Sequence, residues 1–255
     1  MKPPDSSSPA PRLWYAFDQG RFDGVEPWFF REEDFPFLQE LEARWREIHA
    51  EIRILLAEDS QRLKPYLHQK MSFPPGDWKT LAFYFWKLRV RENCRQCPQL
   101  DAFLQTIPGL TAAALSVLEP QTKINPHHGD TNAIARIHLG LEIPGEPPDC
   151  AFQVGEEIRA WHPGQAHVFC DAHFHMAWNF TDRRRLILIL DVMRPDFQAR
   201  TNVICGRVLG SLLMLSMQEA WPALAKLPMA LRRVLWRGAG LVMQGFIPLQ
   251  RRFSR

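Results

Sequence analysis

The chain has 255 residues, 46% hydrophobic and 23% charged, close to the globular average, which excludes wholesale disorder. At roughly 100–200 residues per domain, it is one domain with appendages or two small ones, and it can bury roughly 70–75% of its unfolded surface without disulfide staples. Thirty-one basic and 28 acidic residues leave a net charge of only +3, too small for a general nucleic-acid binder, and five cysteines do not make a secreted disulfide framework.

Residues 1–12 are rich in Pro and Ser and read as disordered; they lack the apolar centre of a secretory leader. No continuous run of about 18 apolar residues occurs, so a spanning helix is not expected and a reducing cytoplasm is the default compartment. From Glu32 to about Leu63 the pattern is helical. Phe37, Leu38, Leu41, Trp45, Ile48, Ile52 and Leu55 recur at spacings of three and four, and Pro65 is the stop. Thr80–Val90 is aromatic and apolar and suits a strand. The lone Cys94-Arg95-Gln96-Cys97 has no partner pair, so both cysteines read as structural. Leu100–Ile107 suits a short helix that stops before Pro108-Gly109.

From about Ala112 to Val192 the texture changes to short runs separated by turn residues. Ala113–Leu118, Ala133–Leu141, Cys150–Val154, Ala166–Cys170 and Leu186–Val192 are expected strands, which together suggest a β-sandwich or barrel. Leu186–Val192 is apolar except for Asp191, which places it in the centre of a sheet. Residues 207–255 carry eight basic residues and only Glu219 as an acid, a net of +7 against −4 for the rest. On a helical wheel Leu231, Val234, Leu235, Leu241 and Val242 share one face, while Arg232, Arg233, Arg237 and Gln244 share the other. Such a helix either lies on an anionic membrane or packs its apolar face on the core, and the pattern leaves both open.

Seven of the nine histidines (127, 128, 138, 162, 167, 173 and 175) fall inside the β-rich region. Neutral imidazole is a common metal ligand, so the clustering suggests a metal centre. If His127 binds metal on a strand, His128 points to the opposite face. His173 and His175 share a face, and spacing does not choose between them.

The stretch from Ser116 to Pro195 resembles the catalytic core of the aspartyl/asparaginyl β-hydroxylases, a family that includes bacterial hydroxylases of lipid A acyl chains. The matching motifs are Asn125-Pro126-His127-His128-Gly129, Ala135-Arg136-Ile137-His138-Leu139-Gly140-Leu141 and Trp161-His162-Pro163-Gly164. Phe169-Cys170-Asp171-Ala172-His173-Phe174-His175 and the run from Arg185 to Val192 complete the set, with weaker similarity upstream at Cys97-Pro98 and Ile107-Pro108.

The resemblance implies a mainly β protein: a double-stranded β-helix (jelly roll) over about 112–195, within a dioxygenase domain of 13–200 that has N-terminal helices packed on it. Residues 201–255 form a basic helical tail. It further implies Fe(II), 2-oxoglutarate and O2, with His127 and His175 as metal ligands and no carboxylate ligand. Gly129 stands where the commoner facial triad has its acid. Asp130 would become a third ligand only if the strand bulged there. The resemblance assigns Arg185 to the distal carboxylate of 2-oxoglutarate, a role that suits a planar guanidinium. It assigns cosubstrate contacts to Ser116, Arg136 and His138, with Leu118 where the family often has methionine. His173 and Cys170 depart from the family pattern. Phe169, Phe174 and Trp178 are expected as apolar walls.

The implied reaction is hydroxylation of an aliphatic C–H bond, on the β-carbon of an Asp or Asn residue, a related amino acid or peptide, or a lipid acyl chain. Residues 13–110 are expected to complete the pocket wall. A zinc hydrolase or isomerase, or a non-catalytic membrane-associated binding module, are the competing readings. Expected partners are a small-molecule, peptide or lipid substrate and a membrane surface through residues 207–255, with no nucleic acid.

Overall fold

A computed structural model describes residues 11–252, so most of the N-terminal stretch read as disordered lies outside the described residues. The helices are α1 (Ala16–Gln19), α2 (Phe37–Ala43), α3 (Trp45–Glu58), α4 (Arg91–Gln96), α5 (Pro98–Thr106), α6 (Thr201–Ala220) and α7 (Met229–Arg252). The strands are β1 (Lys64–Pro65), β2 (Ser72–Phe73), β3 (Trp78–Phe85), β4 (Leu88–Arg89), β5 (Leu110–Leu118) and β6 (Thr122–His127). They continue with β7 (Ile134–Glu142), β8 (Cys150–Val154), β9 (Glu157–Arg159), β10 (Ala166–Phe169), β11 (His175–Asn179) and β12 (Arg185–Met193).

Two antiparallel sheets face each other. The larger runs β1-β3-β5-β12-β7-β10, with β4 beside β3, and the smaller runs β2-β6-β11-β8-β9. This is the expected mainly β, jelly-roll architecture, with helices at both termini. β12 lies between β5 and β7 as its composition predicts. Both its faces are buried. Leu186, Leu188, Leu190 and Val192 join the core under α2, α3 and α5, while Ile187 and Ile189 belong to the cluster between the sheets. The same alternation on β7 sends Ala135, Ile137, Leu139 and Leu141 to the helical side and leaves Arg136 and His138 facing the other sheet. Cys94 and Cys97 are buried in the helix-side core, and all five cysteines are free thiols.

Two local expectations need correction. The single helix over 32–63 is two, because Arg44 leaves helical geometry with φ −93° and ψ 3°. The strand at 80–90 is the hairpin β3–β4: Trp86 and Lys87 take positive φ (46° and 70°), the two-residue turn that matches strand twist. The region 195–220 is long and apolar enough to cross a membrane by length and composition, although no uninterrupted apolar run exists, because its few charges are spread out. Somewhat under half of that stretch is buried; Ile204, Cys205, Val208, Leu209 and Met214 pack with Ile134, Met193 and Phe197.

Candidate functional site

His127 ends β6 and His175 begins β11. Their Cα atoms are register partners across this antiparallel pair, and a bulge follows between His175 and Ala177. Two imidazoles distant in sequence therefore sit side by side, with ring centroids 4.1 Å apart. Each Nδ1 donates to a carbonyl two residues before it: His127 to Asn125 O and His175 to His173 O, both at 2.9 Å. A carbonyl only accepts, so both rings carry the proton on Nδ1 and leave the Nε2 lone pair free, the orientation a metal requires. Burial and mutual repulsion push His127 down to about 3, and burial with the Arg136 charge does the same for His175. Both are neutral at pH 7.

Asp171 completes this end of the site. Its Oδ1 lies 3.4 Å from His175 Nε2. A carboxylate oxygen and an imidazole lone pair at that spacing have no proton between them, so a cation or a donor such as water fits there. Gly129 makes room for the acid. A Cβ at Gly129 would stand 1.5 Å from Asp171 Oδ2, and Gly129 N–H donates to Asp171 O at 2.7 Å. Asp171, in the loop between β10 and β11, thus fills the space a side chain at position 129 would need. Asp130, pushed up to about 7 by burial and by Asp171, does not join the histidines. Among the described residues no cluster of three or more His, Cys, Asp or Glu is placed to share an ion.

A cavity runs from this pair into the space between the sheets, lined by Trp78, Ser116, Ile124, Arg136, His138, Phe152, Trp161, Met176, Ala177, Arg185, Ile187 and Ile189. Arg185 is 1% exposed. Its Nη1 donates to Ser116 O at 3.2 Å and Ser116 Oγ at 3.4 Å, and its guanidinium lies 4.7 Å from the Trp161 ring centroid. Its Nε is buried without a hydrogen-bond partner, and burial lowers the guanidinium to about 10. A buried cation with an orphaned N–H is the complement of a carboxylate.

Arg136 is the opposite case. Nε and Nη2 bind both oxygens of Asp191 at 2.7 and 2.8 Å, and Nη1 binds Asp171. His138 Nδ1 accepts from Trp161 Nε1 at 3.4 Å, which leaves its Nε2–H as a neutral donor; burial lowers its pKa further. The Trp161-His162-Pro163-Gly164 turn reaches this position because it crosses β7 at Gly140, where a Cβ would stand 2.2 Å from His162 O.

The other expected site residues separate. Ser116 accepts from Trp78 Nε1 at 3.0 Å and lines the cavity. Leu118 is fully buried opposite Arg185 and Trp78 in register, in the wall behind the cavity lining. His128 turns away, between the rings of Trp14 and Phe174, each 5.3 Å distant. His173 also turns away, donating from Nε2 to Glu26 O at 2.7 Å, and Cys170 packs with Trp14. Of the expected walls, Phe169 contacts His138 and His175 at 4.8 and 5.6 Å. Phe174 is instead exposed, and Trp178 points to Pro148 O on the outer side of β11. Trp78, Phe152 and Trp161 form the aromatic wall. Only the Trp161 motif marked any of the three in sequence.

A double-stranded β-helix with two tautomer-fixed histidines at one end and a buried arginine in its interior defines a jelly-roll barrel with a polar site between its sheets. The profile of the aspartyl/asparaginyl β-hydroxylases matches residues 42–195, and the chain belongs to that family. It is 33% identical over 164 residues to the ornithine lipid ester-linked acyl 2-hydroxylase of Rhizobium tropici, covering 63% of this chain and 58% of that one. It is 32% identical to the mouse aspartate beta-hydroxylase domain-containing protein 2, covering 68% and 52% of the two chains. The chain spans little more than half the length of these relatives. Among solved structures it is similar to a cupin 2 conserved barrel domain protein from Salinispora arenicola, with a TM-score of 0.32 and 12% identity over 49% of this chain and 82% of that one.

Proposed function

We propose that this hydroxylase is an Fe(II)- and 2-oxoglutarate-dependent oxygenase acting on an aliphatic C–H bond. The observation that carries the reading is Arg185: a buried guanidinium with no carboxylate partner among the described residues, lining one cavity with two imidazoles whose ring centroids are 4.1 Å apart. A keto diacid supplies what both ends lack. Bound to His127 and His175, ferrous iron with 2-oxoglutarate supplies oxygen activation, so that one atom of O2 enters the substrate as hydroxyl and the other enters succinate as CO2 is lost.

The chain's own residues do the positioning. Arg185 and Ser116 hold the distal carboxylate, and His138 donates from Nε2 into the cavity. Asp171, fixed by Arg136, would present a hydrogen-bond acceptor beside His175 at this end of the site. Ile124, Met176, Ala177, Ile187 and Ile189 exclude bulk water.

For the substrate we favour an acyl chain over an Asp or Asn side chain, because the remaining walls are apolar and the Rhizobium relative is named for an acyl 2-hydroxylation. Anaerobic titration with Fe(II) and 2-oxoglutarate tests the cofactor assignment. A metal-to-ligand charge-transfer band, then succinate formation on admitting O2, is the expected outcome; absence of both refutes it. Stimulation of 2-oxoglutarate decarboxylation by acylated lipid rather than by Asp- or Asn-containing peptide tests the substrate.

A further inference from the structure

The helix pair after the barrel carries an unpartnered apolar face. α7 has 24 residues, about 36 Å of helix. It packs on α6 and the end of the large sheet through Trp236, Met243 and Ile247. Trp236 Nε1 donates to Arg207 O at 2.8 Å, and Gln250 exchanges hydrogen bonds with the Arg89 backbone. At 100° per residue, the side pointing away from that contact carries Leu231, Val234, Leu241, Val242 and Leu249. They are exposed, up to 69% and 72% at Leu241 and Val242. The apolar stripe evident in the sequence is therefore not the stripe that holds the helix to the core. A soluble helix would show charge on this side.

The flanks decide what covers it. Arg237 borders the stripe, whereas Arg233 pairs with Asp18, and residues 207–255 hold eight basic residues against one acid. Pairing this face with a second copy would bring two segments of net +7 together, whereas an anionic lipid surface matches both the apolar stripe and its basic edge.

The end of α6 is also tied to the cavity side of the barrel. His68 Nδ1 lies 3.3 Å from Glu219 Oε1, and Tyr66 of the same loop stacks on Trp78 at 3.8 Å. Leu67 and Phe73 in and after this loop, and Trp221 at the α6–α7 corner, are exposed apolar side chains.

We infer that α7 is a peripheral membrane-docking helix whose partner is an anionic bilayer, held with the barrel's cavity side towards the lipid. The inference does not depend on the oxygenase chemistry, because docking is read without turnover.

The test is flotation of the full chain with vesicles of phosphatidylcholine alone or with phosphatidylglycerol as the minority lipid. Binding to the anionic vesicles, weakened by added salt, is expected. The triple variant Val234→Ser, Leu241→Ser, Val242→Ser changes only exposed side chains and should lower the bound fraction at least about tenfold. Arg237→Glu should weaken binding to anionic vesicles specifically. Circular dichroism verifies that both variants fold. Wild-type protein that fails to float, or a triple variant that floats as well as wild type, overturns the inference. So does a lipid-free dimer in gel filtration that the triple variant abolishes, since a second copy would then cover the face.

Discussion

Replacing Arg185 with methionine separates an anion anchor from a structural arginine, because the two roles predict opposite signs. In the free protein the guanidinium is buried, hydrogen-bonded among the described residues only to Ser116, and lowered by burial from its ordinary value to about 10. It remains charged at pH 7, and its folded pKa is the lower one, so the cost of burying that charge is fully present below pH 10. At 1.36 kcal/mol per unit, the cost is about 3 kcal/mol. Methionine removes it and keeps an unbranched side chain against Trp161, so Arg185→Met should leave the metal-free protein as stable as wild type or up to about 3 kcal/mol more stable. The cosubstrate would then enter an apolar pocket with its distal carboxylate unpaired. Losing one partner of a buried pair costs about 3–5 kcal/mol, so the Kd for 2-oxoglutarate should rise by roughly two to three and a half orders of magnitude. Urea unfolding gives the first quantity, and calorimetric titration of 2-oxoglutarate into Mn(II)-loaded protein gives the second. A variant that is clearly destabilised yet binds 2-oxoglutarate normally would show that Arg185 is a packing residue.

His127→Ala and His175→Ala should each abolish binding of Fe(II) or Mn(II) in a spectroscopic titration, whereas His128→Ala should change it little, because that ring packs between Trp14 and Phe174. Gly129→Ala should displace the Asp171 carboxylate, costing about 1–3 kcal/mol by overpacking and weakening metal affinity together; unchanged urea midpoint and affinity would contradict the close approach. The metal-free protein should lose stability as pH falls. His127 and His175 sit at about 3 against 6.5 when unfolded, so between these values the unfolded chain binds more protons. Going from pH 6.5 to 5 should cost about 2 kcal/mol per histidine, and the double alanine variant should lose that part of the slope in urea midpoints.

The interior strands were legible in the sequence because burial on both faces leaves an unmistakable apolar run, as in β12. The strands bearing His127 and His175 were not. β6 contains Lys123, Asn125 and Pro126, and β2 pairs with it only at Lys123 and Ile124, so its later residues lie on an open edge where proline is tolerated. β11 has five residues and a bulge after its histidine, which erases the two-residue period. The histidines were paired through family motifs, and their tautomers are set by backbone carbonyls that no pattern marks.

Asp191 makes the same point about the arginines. In sequence it is an unexplained acid in an apolar strand. Register sets it opposite Arg136, where both carboxylate oxygens are taken, and Asp171 takes the remaining arm. Arg185, six residues earlier on the same face of β12, meets no such acid: its register partner on β5 is Leu118. One arginine is thus committed to fixing Asp171 beside the histidines. The other keeps an unspent charge at the far end of the cavity, and that asymmetry makes Arg185 rather than Arg136 the group able to bind an incoming carboxylate.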